Sequence, residues 1–542
     1  MNTAVPPPSR SPGNAAADAT EPASAWMPLD AASDDPTPLY DVATIRRVEQ
    51  AGLDATPPFT LMSRAGAAAA DWIHRHVPSG RILFLAGRGN NGGDALVAAT
   101  RLHQAGRLVE AWLVAEADRL PADAARAWLE ARTAGVPLLA MPSAPGAALP
   151  PWPDGCVAIV DGLLGIGLNR AAEGEVARWI GHLNASHLPV FALDIPSGLF
   201  ADTGAGQPAV RARRTLTFLA AKPGLLTLDG RDCAGGIDIA PLGLDYPPAE
   251  RPVAMVNQPG GFTHKLPRRE HAANKGRFGS LAVIGGNHGM TGAPLLGARA
   301  ALHLGAGRVH VGFLAQPAPA IDPVHPELML HPIAELALDA MSAFVVGPGM
   351  GSGTAARKHL AQLIEACANA EPPLPLVLDA DALNLLAADT ALGQHLRDSG
   401  LEYVMTPHPL EAARLLGSSV ADVQRDRIGA ANALAAHWQA TIVLKGSGTI
   451  IATADDDPAA INPTGNAGLS TAGTGDVLAG MIGALLAQGV PMLAAARAGV
   501  WIHGRAADRL VEAGTGPAGM TASELYRPAR AIFNALLQGG AP

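Results

Sequence analysis

Residues 470–480 read STAGTGDVLAG, and this stretch predicts the local fold around which the second half of the chain is built. It is typical of a glycine turn that opens a long apolar helix, with Asp476 in the first helical turn. Backbone N–H groups at a helix start have no intrahelical partner, and with the helix dipole they form an anion site. A carboxylate at such a site would repel a bound phosphate. Its presence is explained if Asp476 takes a proton from a hydroxyl group that attacks a phosphoryl group. Alone, the stretch favours a plain helix start.

A second glycine-rich turn with a carboxylate occurs in the first half of the chain. Residues 81–86 form an apolar run, residues 89–94, GNNGGD, follow it, and a helix is predicted from Ala95 to Gln104. Glycines there permit positive φ and close backbone approach to a ligand. The spacing of Gly87, Gly89 and Gly92 also fits the dinucleotide fingerprint. No clear acidic residue ends the next strand to bind a ribose, so an ordinary dehydrogenase has weak support.

Composition excludes several classes of protein. The chain has 542 residues, a length that predicts two to four domains, and its formal net charge of -9 disfavours a general nucleic-acid binder. No apolar run is long enough to span a membrane, and no secretory signal is evident. Cys156, Cys233 and Cys367 are isolated, which favours a reducing, cytoplasmic location without structural zinc. No HExxH motif occurs, so a zinc hydrolase has little support.

Short apolar runs alternate with alanine-rich helical patterns, which predicts an α/β fold with parallel sheets covered by helices on both faces. A Pro-, Gly- and Asn-containing stretch near residues 245–262 breaks this rhythm. The predicted organisation is a disordered tail (1–37), a first domain (38–248), a linker (249–261) and a second domain (262–542). Predicted strands cover residues 81–86, 110–115, 156–160, 189–193, 215–220, 280–284, 308–314, 343–346, 374–378, 403–405, 441–444 and 450–453.

Polar residues follow several strands of the first half. Asp161, Asp194 and Ser197 come at strand ends, and Asn91 lies in the first glycine turn. In open α/β sheets these ends meet at one edge, where the four residues could supply hard oxygen ligands for a cation. Asp194 could equally act as a general acid or base. Each residue taken singly is more often a helix cap or a turn residue.

The second half offers a comparable set. Residues 445–449, KGSGT, supply a cation and N–H groups one hairpin before the turn at 470–480, and Asn466 lies between the two. A lysine directly after a buried strand is about as often functional as it is a surface residue. His408 is a loop histidine at a strand end and alone is weak support for a site. Asp379 and Asp381 are better explained as caps of the next helix.

Taken in their order along the chain, these motifs resemble the bacterial family in which an NAD(P)HX epimerase is fused to an ADP-dependent NAD(P)HX dehydratase. NAD(P)HX is the hydrated form of NADH or NADPH. The resemblance extends from Leu39 to the end and implies a Rossmann-like three-layer αβα domain followed by a ribokinase-like αβα domain. It rests on the motifs at residues 89–97, 161–167, 194–198, 275–279, 347–351, 406–409 and 473–476.

The resemblance also implies site residues. Asp194 and Asp476 would be catalytic. Potassium would be held by Asn91, Asp161 and Ser197. The epimerase substrate would contact Asn90, Asn91, Gly92, Gly93, Asp94, Gly165, Ile166, Gly167, Leu168, Asn169, Arg170, Ala171 and Asp194. The dehydratase substrate would contact Ala293, Gly351, His408 and Asp476. ADP would contact Lys445, Gly446, Ser447, Gly448, Thr449 and Gly475.

The implied cofactors are K⁺ in the first domain and Mg²⁺ in the second, with ADP as co-substrate and NADHX and NADPHX as substrates. A cytoplasmic homo-oligomer without nucleic-acid or membrane partners is expected. Asp476 would take the hydroxyl proton while Lys445 and the helix start stabilise the transferring phosphoryl group. Asp194 would move protons during epimerisation. Ala95 and Leu410 stand where the family usually has glycine, and Ala95 would be crowded if its position needed positive φ.

Three alternatives stay open from the sequence. A ribokinase-like small-molecule kinase would use the same glycine turn and carboxylate, but it would not need the first domain. A non-catalytic scaffold is the second alternative, since domains like the first half occur as binding modules in RNA-decay proteins. Retention of Asn91, Asp161 and Asp194 together argues against a scaffold. A redox dehydrogenase ranks third.

Overall fold

The structure is a computed structural model that describes residues 26–141, 148–168 and 170–540. The described residues form two β-sheets, one of eight strands and one of eleven, and helices cover each sheet. This confirms the predicted α/β class. No described helix is long and apolar enough to cross a membrane, and the three cysteines are free thiols.

The elements of the first half follow the predicted alternation. In chain order they are β1 (Met27–Pro28), β2 (Pro38–Leu39), α1 (Val42–Ala55), α2 (Thr60–His76), β3 (Arg81–Ala86), α3 (Asn90–Gln104), β4 (Val109–Leu113), α4 (Ala122–Thr133), β5 (Leu138–Ala140), β6 (Cys156–Gly162), α5 (Gly174–Asn184), β7 (Val190–Leu193), β8 (Arg214–Phe218), α6 (Gly230–Cys233) and β9 (Gly236–Ala240).

The second half continues the series. Its elements are β10 (Ala254–Val256), β11 (Ser280–Gly285), α7 (Gly292–His303), β12 (Arg308–Phe313), β13 (Met329–Pro332), β14 (Ala343–Val346), α8 (Thr354–Ala368), β15 (Leu376–Leu378), α9 (Asp381–Ala388), α10 (Thr390–Asp398), β16 (Tyr403–Met405), α11 (Pro409–Leu416), α12 (Val420–Arg425), α13 (Arg427–Trp438), β17 (Thr441–Leu444), β18 (Ile450–Ala452), β19 (Ala459–Ile461), α14 (Thr474–Ala487), α15 (Met492–Glu512) and α16 (Tyr526–Leu537).

The first sheet has the strand order β1-β9-β8-β7-β6-β3-β4-β5. All neighbouring pairs are parallel except the edge pair β1–β9. The central strands are apolar along their length because helices cover both faces, as in β3, where all residues after Arg81 are buried. The carboxyl ends of β8, β7, β6 and β3 therefore lie side by side.

The second sheet has the order β13-β12-β11-β14-β15-β16-β17-β18-β19-β10-β2. Strands β13 to β17 are parallel, and β17, β18 and β19 form an antiparallel meander. Two of its strands lie outside the predicted second domain: β10 in the predicted linker and β2 in the predicted first domain. The structure thus contains two separate sheets, and the exact limits of the two domains stay a prediction.

Helix α14 is the central helix of the second half, as the opening stretch predicts. It is buried along nearly its whole length, which is typical of a helix enclosed on all sides. It crosses α7 so closely that a Cβ on Gly480 would lie 2.0 Å from the carbonyl oxygen of Gly297. Only glycine fits there, and this contact fixes how the start of α14 is presented to the sheet edge.

Two local predictions differ from the structure. Helix α3 begins at Asn90 rather than Ala95, so most of the first glycine turn is its first turn. Backbone N–H groups in the first turn of a helix have no intrahelical partner, so a glycine-rich stretch can form that turn. Of the predicted disordered tail, residues 1–25 lie outside the described residues. Residues 26–37 have defined contacts: Trp26 is buried, and Thr37 donates its backbone N–H to Gln258.

Candidate functional site

A cavity of about 530 Å³ opens at the carboxyl ends of the central strands of the first sheet. The loops after β3, β6, β7 and β8 line it, which is where ligands bind in open α/β sheets. Helix α1 covers it with Arg46 and Glu49. Predicted substrate residues that line this cavity are Asn90, Asn91, Asp94, Gly165, Ile166, Gly167, Leu168 and Asp194.

Asp194 is the most constrained residue of this cavity. Its backbone is left-handed, with φ of 62°, a conformation that a non-glycine residue keeps only when its surroundings enforce it. Its Oδ1 accepts a hydrogen bond of 2.6 Å from Lys222 Nζ, and its Oδ2 accepts one from the backbone N–H of Ile166. Lys222 is fully buried and also donates to Thr217 and Phe218. The sequence alone predicts no role for Lys222, although it lies two residues after the predicted strand 215–220.

The three predicted potassium ligands lie around the backbone of Leu164. Asn91 Nδ2 donates to the Leu164 carbonyl, and Ser197 Oγ accepts from the Leu164 N–H. Asp161, fully buried, accepts hydrogen bonds from both the backbone N–H and the Oγ of Ser197. Asn91 Oδ1 is buried and has no hydrogen-bond partner among the described residues. An unpaired buried oxygen beside a carboxylate and a hydroxyl fits a hard cation with oxygen ligands.

Two further carboxyl groups belong to the same cavity. Burial and the nearby charges of Asp194 and Glu49 raise the pKa of Asp94 well above its usual range. Burial and the Asp194 charge also raise the pKa of Glu49. Perturbed carboxyl groups clustered in a cavity are typical of a functional site.

Not all predicted epimerase residues reach the cavity. A Cβ on Gly92 would lie 2.0 Å from the Gly87 carbonyl oxygen, and one on Gly93 would lie 2.5 Å from Met62. These glycines allow helix α3 to pack closely and do not line the cavity. Arg170 and Ala171 are exposed and do not line it either. Asn169 lies outside the described residues.

Ala95 lies inside helix α3 and is fully buried. Its φ is not positive, so the alanine needs no strained backbone. Leu410 lies in the first turn of α11 with a half-exposed side chain. Neither departure from the family pattern therefore distorts the local backbone.

A second cavity, of about 480 Å³, lies beside the start of helix α14. The loop 445–449 lines one side, Asn462 to Asn466 contribute to another, and Gly475 is at the helix start. All predicted ADP-contacting residues line this cavity: Lys445, Gly446, Ser447, Gly448, Thr449 and Gly475. Glycines and helix N–H groups beside a lysine are suited to binding phosphate groups.

Asp476 lies in the first turn of α14, as predicted. Burial and the neighbouring charge of Asp379 raise its pKa to about 7, against the opposing charge of Lys445. A Cβ on Gly475 would lie 3.3 Å from Lys445 Nζ, so the ammonium group is close to the helix start. A carboxyl group with this pKa can exchange a proton with a hydroxyl near neutral pH.

The prediction that Asp379 and Asp381 cap helix α9 is wrong. The N-cap of α9 is Ala380, without a side-chain cap. Asp379 is buried and accepts hydrogen bonds of 2.7 Å from both Lys445 Nζ and Thr406 Oγ1. Asp381 accepts the backbone N–H of Gly351. Both carboxylates follow a predicted strand in the sequence. The sequence alone does not pair Asp379 with its lysine partner, which lies 66 positions away.

His408 has a structural task. It precedes α11, its Nδ1 accepts from the backbone N–H of Leu410, and its own N–H donates to Glu411. Burial, together with the Lys445 charge, lowers the pKa of His408. Burial raises the pKa of Glu411 to about 7. The His–Pro motif therefore positions Glu411, whose Oε2 lies 4.0 Å from Lys445 Nζ.

The other predicted dehydratase residues lie nearby. A Cβ on Gly349 would lie 3.3 Å from the Cβ of Ala293, so helix α7 and the turn 347–351 are in contact. The backbone N–H of Gly351 donates a hydrogen bond to Asp381, and the negative charge of Asp381 contributes to the raised pKa of Asp476. The predicted substrate contacts thus gather around one group of carboxylates.

His503 is a residue that sequence analysis missed. It lies on α15, lines the second cavity, and is 8% exposed. Its Nε2 has no hydrogen-bond partner among the described residues. Burial lowers its pKa to about 4, so the ring is neutral at physiological pH. A buried nitrogen of this kind is available to pair with a polar atom of a bound molecule or with water.

Two family models match the chain. One, described as YjeF-related protein N-terminus, matches residues 58–224, and the other, described as NAD(P)H-hydrate dehydratase, matches residues 281–529. A bifunctional NAD(P)H-hydrate repair enzyme of Coxiella burnetii is 37% identical over 92% of this chain and 100% of its own length. The chain belongs to the family of bifunctional NAD(P)H-hydrate repair enzymes.

Other members of the family agree with this assignment. The Escherichia coli bifunctional NAD(P)H-hydrate repair enzyme is 39% identical over 92% of this chain and 94% of its own length. An ADP-dependent (S)-NAD(P)H-hydrate dehydratase of Neisseria meningitidis is 46% identical over 50% of this chain and 91% of its own length. The predicted family and bifunctional activity are confirmed, and the kinase, scaffold and dehydrogenase alternatives are not supported. The cytoplasmic homo-oligomer stays a prediction.

Proposed function

We propose that the cavity of the first sheet epimerises R- and S-NAD(P)HX, and that the cavity beside α14, with the adjoining carboxylates, dehydrates S-NAD(P)HX with consumption of ADP. The observation that carries the proposal is the pairing, in one chain of this family, of two separate cavities, each with a lysine–aspartate contact. The products of the second reaction are NAD(P)H, AMP and phosphate.

In the dehydration, Asp476 takes the proton of the substrate hydroxyl. The hydroxyl oxygen bonds to the β-phosphorus of ADP, and AMP leaves. The phosphate ester is a better leaving group than hydroxide, and the ring nitrogen supplies the electron pair that expels phosphate. Loss of a proton from the neighbouring ring carbon to water then completes the double bond of NAD(P)H. The start of α14 and Lys445 stabilise the charge of the transferring group. A pKa of about 7 allows Asp476 to be ionised before the step and protonated after it.

In the epimerisation, Asp194 moves a proton so that the hydroxyl leaves or the ring opens, and the group returns on the other face. Lys222 positions the Asp194 carboxylate through the 2.6 Å contact. The left-handed backbone aims the carboxylate at the cavity. Asn91, Asp161 and Ser197 would hold K⁺, which would supply a positive charge to the cavity. The unpaired Asn91 Oδ1 supports this assignment.

Mg²⁺ is proposed to arrive with the nucleotide. Among the residues that the structure describes, no group of three His, Cys, Asp or Glu is placed to hold a metal ion. Mg²⁺ commonly binds substrate phosphates and water with one or two carboxylates. Asp379 and Asp381, whose charges act on Asp476, are with it the carboxylates that would take part.

The test is recovery of NADH absorbance from a mixed-epimer NADHX sample, with ADP and without it. Complete recovery that depends on ADP is expected, because the first domain converts the epimer that the second cannot use. Recovery that stops near one half would reject the epimerase assignment. No recovery with ADP or ATP would reject the dehydratase assignment.

A further inference from the structure

The loop 445–449 is supported from behind by the first domain. Ser447 accepts hydrogen bonds from the backbone N–H of Leu228 and from Thr227 Oγ1, and its own hydroxyl donates to the Leu228 carbonyl. A Cβ on Gly448 would lie 2.1 Å from the carbonyl oxygen of Leu226. The first domain thus contacts the back of the loop that lines the second cavity.

Leu228 has a backbone φ of 49° at this contact. A left-handed leucine is unfavourable and persists where the surroundings enforce it. Three residues later, Arg231 reaches the opposite side of the same cavity. It lines the cavity together with Asp232, and among the described residues these two are the only lining residues that come from the predicted first domain.

The Arg231 guanidinium donates to two backbone carbonyls of the second domain. Nη2 donates to Gly465 O at 2.8 Å, and Nη1 donates to Pro463 O. Burial lowers the pKa of Arg231, although Asp508 and Asp232 oppose the shift, and the group stays charged at any physiological pH. The planar guanidinium is suited to binding two acceptors at once.

Residues 463–466, which we call the wall 463–466, are also hydrogen-bonded to Asp508 of the second domain. Asp508 accepts from the backbone N–H of Gly465 and from the Asn466 side chain. Gly465 is therefore fixed through its carbonyl by one domain and through its N–H by the other. Loss of Arg231 would leave two carbonyls beside the cavity without their donor and would remove the first domain's hold on this wall.

We propose that Arg231, a residue of the epimerase domain, positions the nucleotide site of the dehydratase domain and sets its affinity for ADP. This proposal rests on the proposed function of the second cavity. Arg231 acts through the wall 463–466 and is a positioning residue. The segment 226–232 thus joins the two activities, because it contacts both sides of the nucleotide cavity.

The experiment compares Arg231→Ala, Arg231→Lys and Arg213→Ala in the full chain. Arg213 is an exposed arginine of the same domain that does not line the cavity, so it is the matched control. Measured quantities are KM for ADP and kcat of S-NADHX dehydration, the epimerisation rate, and the rise in Tm on adding ADP.

Arg231→Ala is expected to raise KM for ADP roughly tenfold, because two charge-assisted hydrogen bonds are lost, with kcat and epimerisation near wild type. Arg231→Lys is expected to recover part of the affinity, since one ammonium can serve one carbonyl. An unchanged KM for ADP in Arg231→Ala overturns the proposal. A parallel fall of kcat, epimerisation and Tm without a specific change in KM also overturns it, because it indicates only a structural role.

The wild-type protein separates this proposal from the function on which it rests. If wild-type protein does not dehydrate NADHX with ADP, the proposed function fails. The ADP-dependent rise in Tm then still tests Arg231: a rise in wild type that is smaller in Arg231→Ala supports the positioning role, and an equal rise overturns it.

Discussion

Each half of this protein joins a lysine to an aspartate at the edge of a sheet, but the two pairings differ. In the first domain Lys222 bonds directly to Asp194, the proposed proton carrier. In the second, Lys445 bonds to Asp379, and the proposed base, Asp476, stands beside them without that bond. A lysine therefore holds one base in place. In the other site a second carboxylate bonds to the lysine, and burial together with the charge of that carboxylate raises the pKa of the base to about 7.

The largest effect is expected from Asp476→Asn. The amide cannot take a proton, so kcat of ADP-dependent dehydration should fall by roughly 10²–10⁴-fold. Measurement is by recovery of NADH absorbance from S-NADHX. Epimerisation by the same preparation is the control and should be unchanged. Near-normal dehydration would show that Asp476 is not the base.

The next effect is expected from Lys222→Met. Methionine fills a similar volume but leaves the Asp194 charge without its partner, so epimerisation should fall by roughly 10²-fold or more. The free energy of unfolding should fall by about 3–5 kcal/mol, as when one partner of a buried ion pair is lost. The measurements are epimer ratio by chromatography and unfolding in urea. Normal epimerisation in this variant would reject the positioning role of Lys222.

A smaller effect should follow from Asp379→Asn, measured as the pH dependence of dehydration. Below its pKa of about 7, Asp476 is protonated and cannot take the hydroxyl proton, so the rate should rise with pH through this region. Asp379 contributes to the raised pKa of Asp476, and removing its charge should move this rise to lower pH.

Glu411 also has a pKa of about 7, raised mainly by its burial, so it titrates in the same pH range as Asp476. Glu411→Gln is therefore the companion variant. If Asp379→Asn leaves the profile unmoved while Glu411→Gln shifts it, the titrating base is not Asp476.

The smallest effect is expected from Ala95→Gly, which restores the usual family residue. Ala95 is helical, so glycine should destabilise the first domain by about 1 kcal/mol without improving epimerisation. Urea unfolding and epimerisation rate give the two readouts. A clear gain in rate would mean that the alanine methyl group hinders the cavity.

The sequence was sufficient for what depends on neighbours along the chain. Apolar runs such as 343–346, 403–405 and 441–444 predicted strands with correct limits. The helix start at Asp476 was also predicted, because turn glycines and an apolar run are local signals. The first glycine turn is predicted as a loop before helix α3, whereas the helix already begins at Asn90. The stretch GNNGGD is equally typical of a loop and of a helix start.

What failed depends on contacts between distant residues. The sequence predicts Asp379 as a helix cap because its lysine partner lies at the end of a distant strand. Lys222 was missed because nothing nearby in sequence marks it as the partner of Asp194. Arg231 was missed since its acceptors, Pro463 and Gly465, belong to the other domain. Such partners are decided by strand order, which local patterns do not contain.

Residues 26–39 have a consequence for how the two domains move. Strand β1 joins the first sheet and β2 joins the second, where it is paired with β10 at the start of the second half. The chain therefore passes between the two sheets three times: from β1 to β2, from β2 back to β3, and from β9 to β10. A single linker would allow the domains to swivel about it. Three connections, two of which end in the paired strands β2 and β10, restrain this rotation and keep Arg231 aligned with the cavity that it lines.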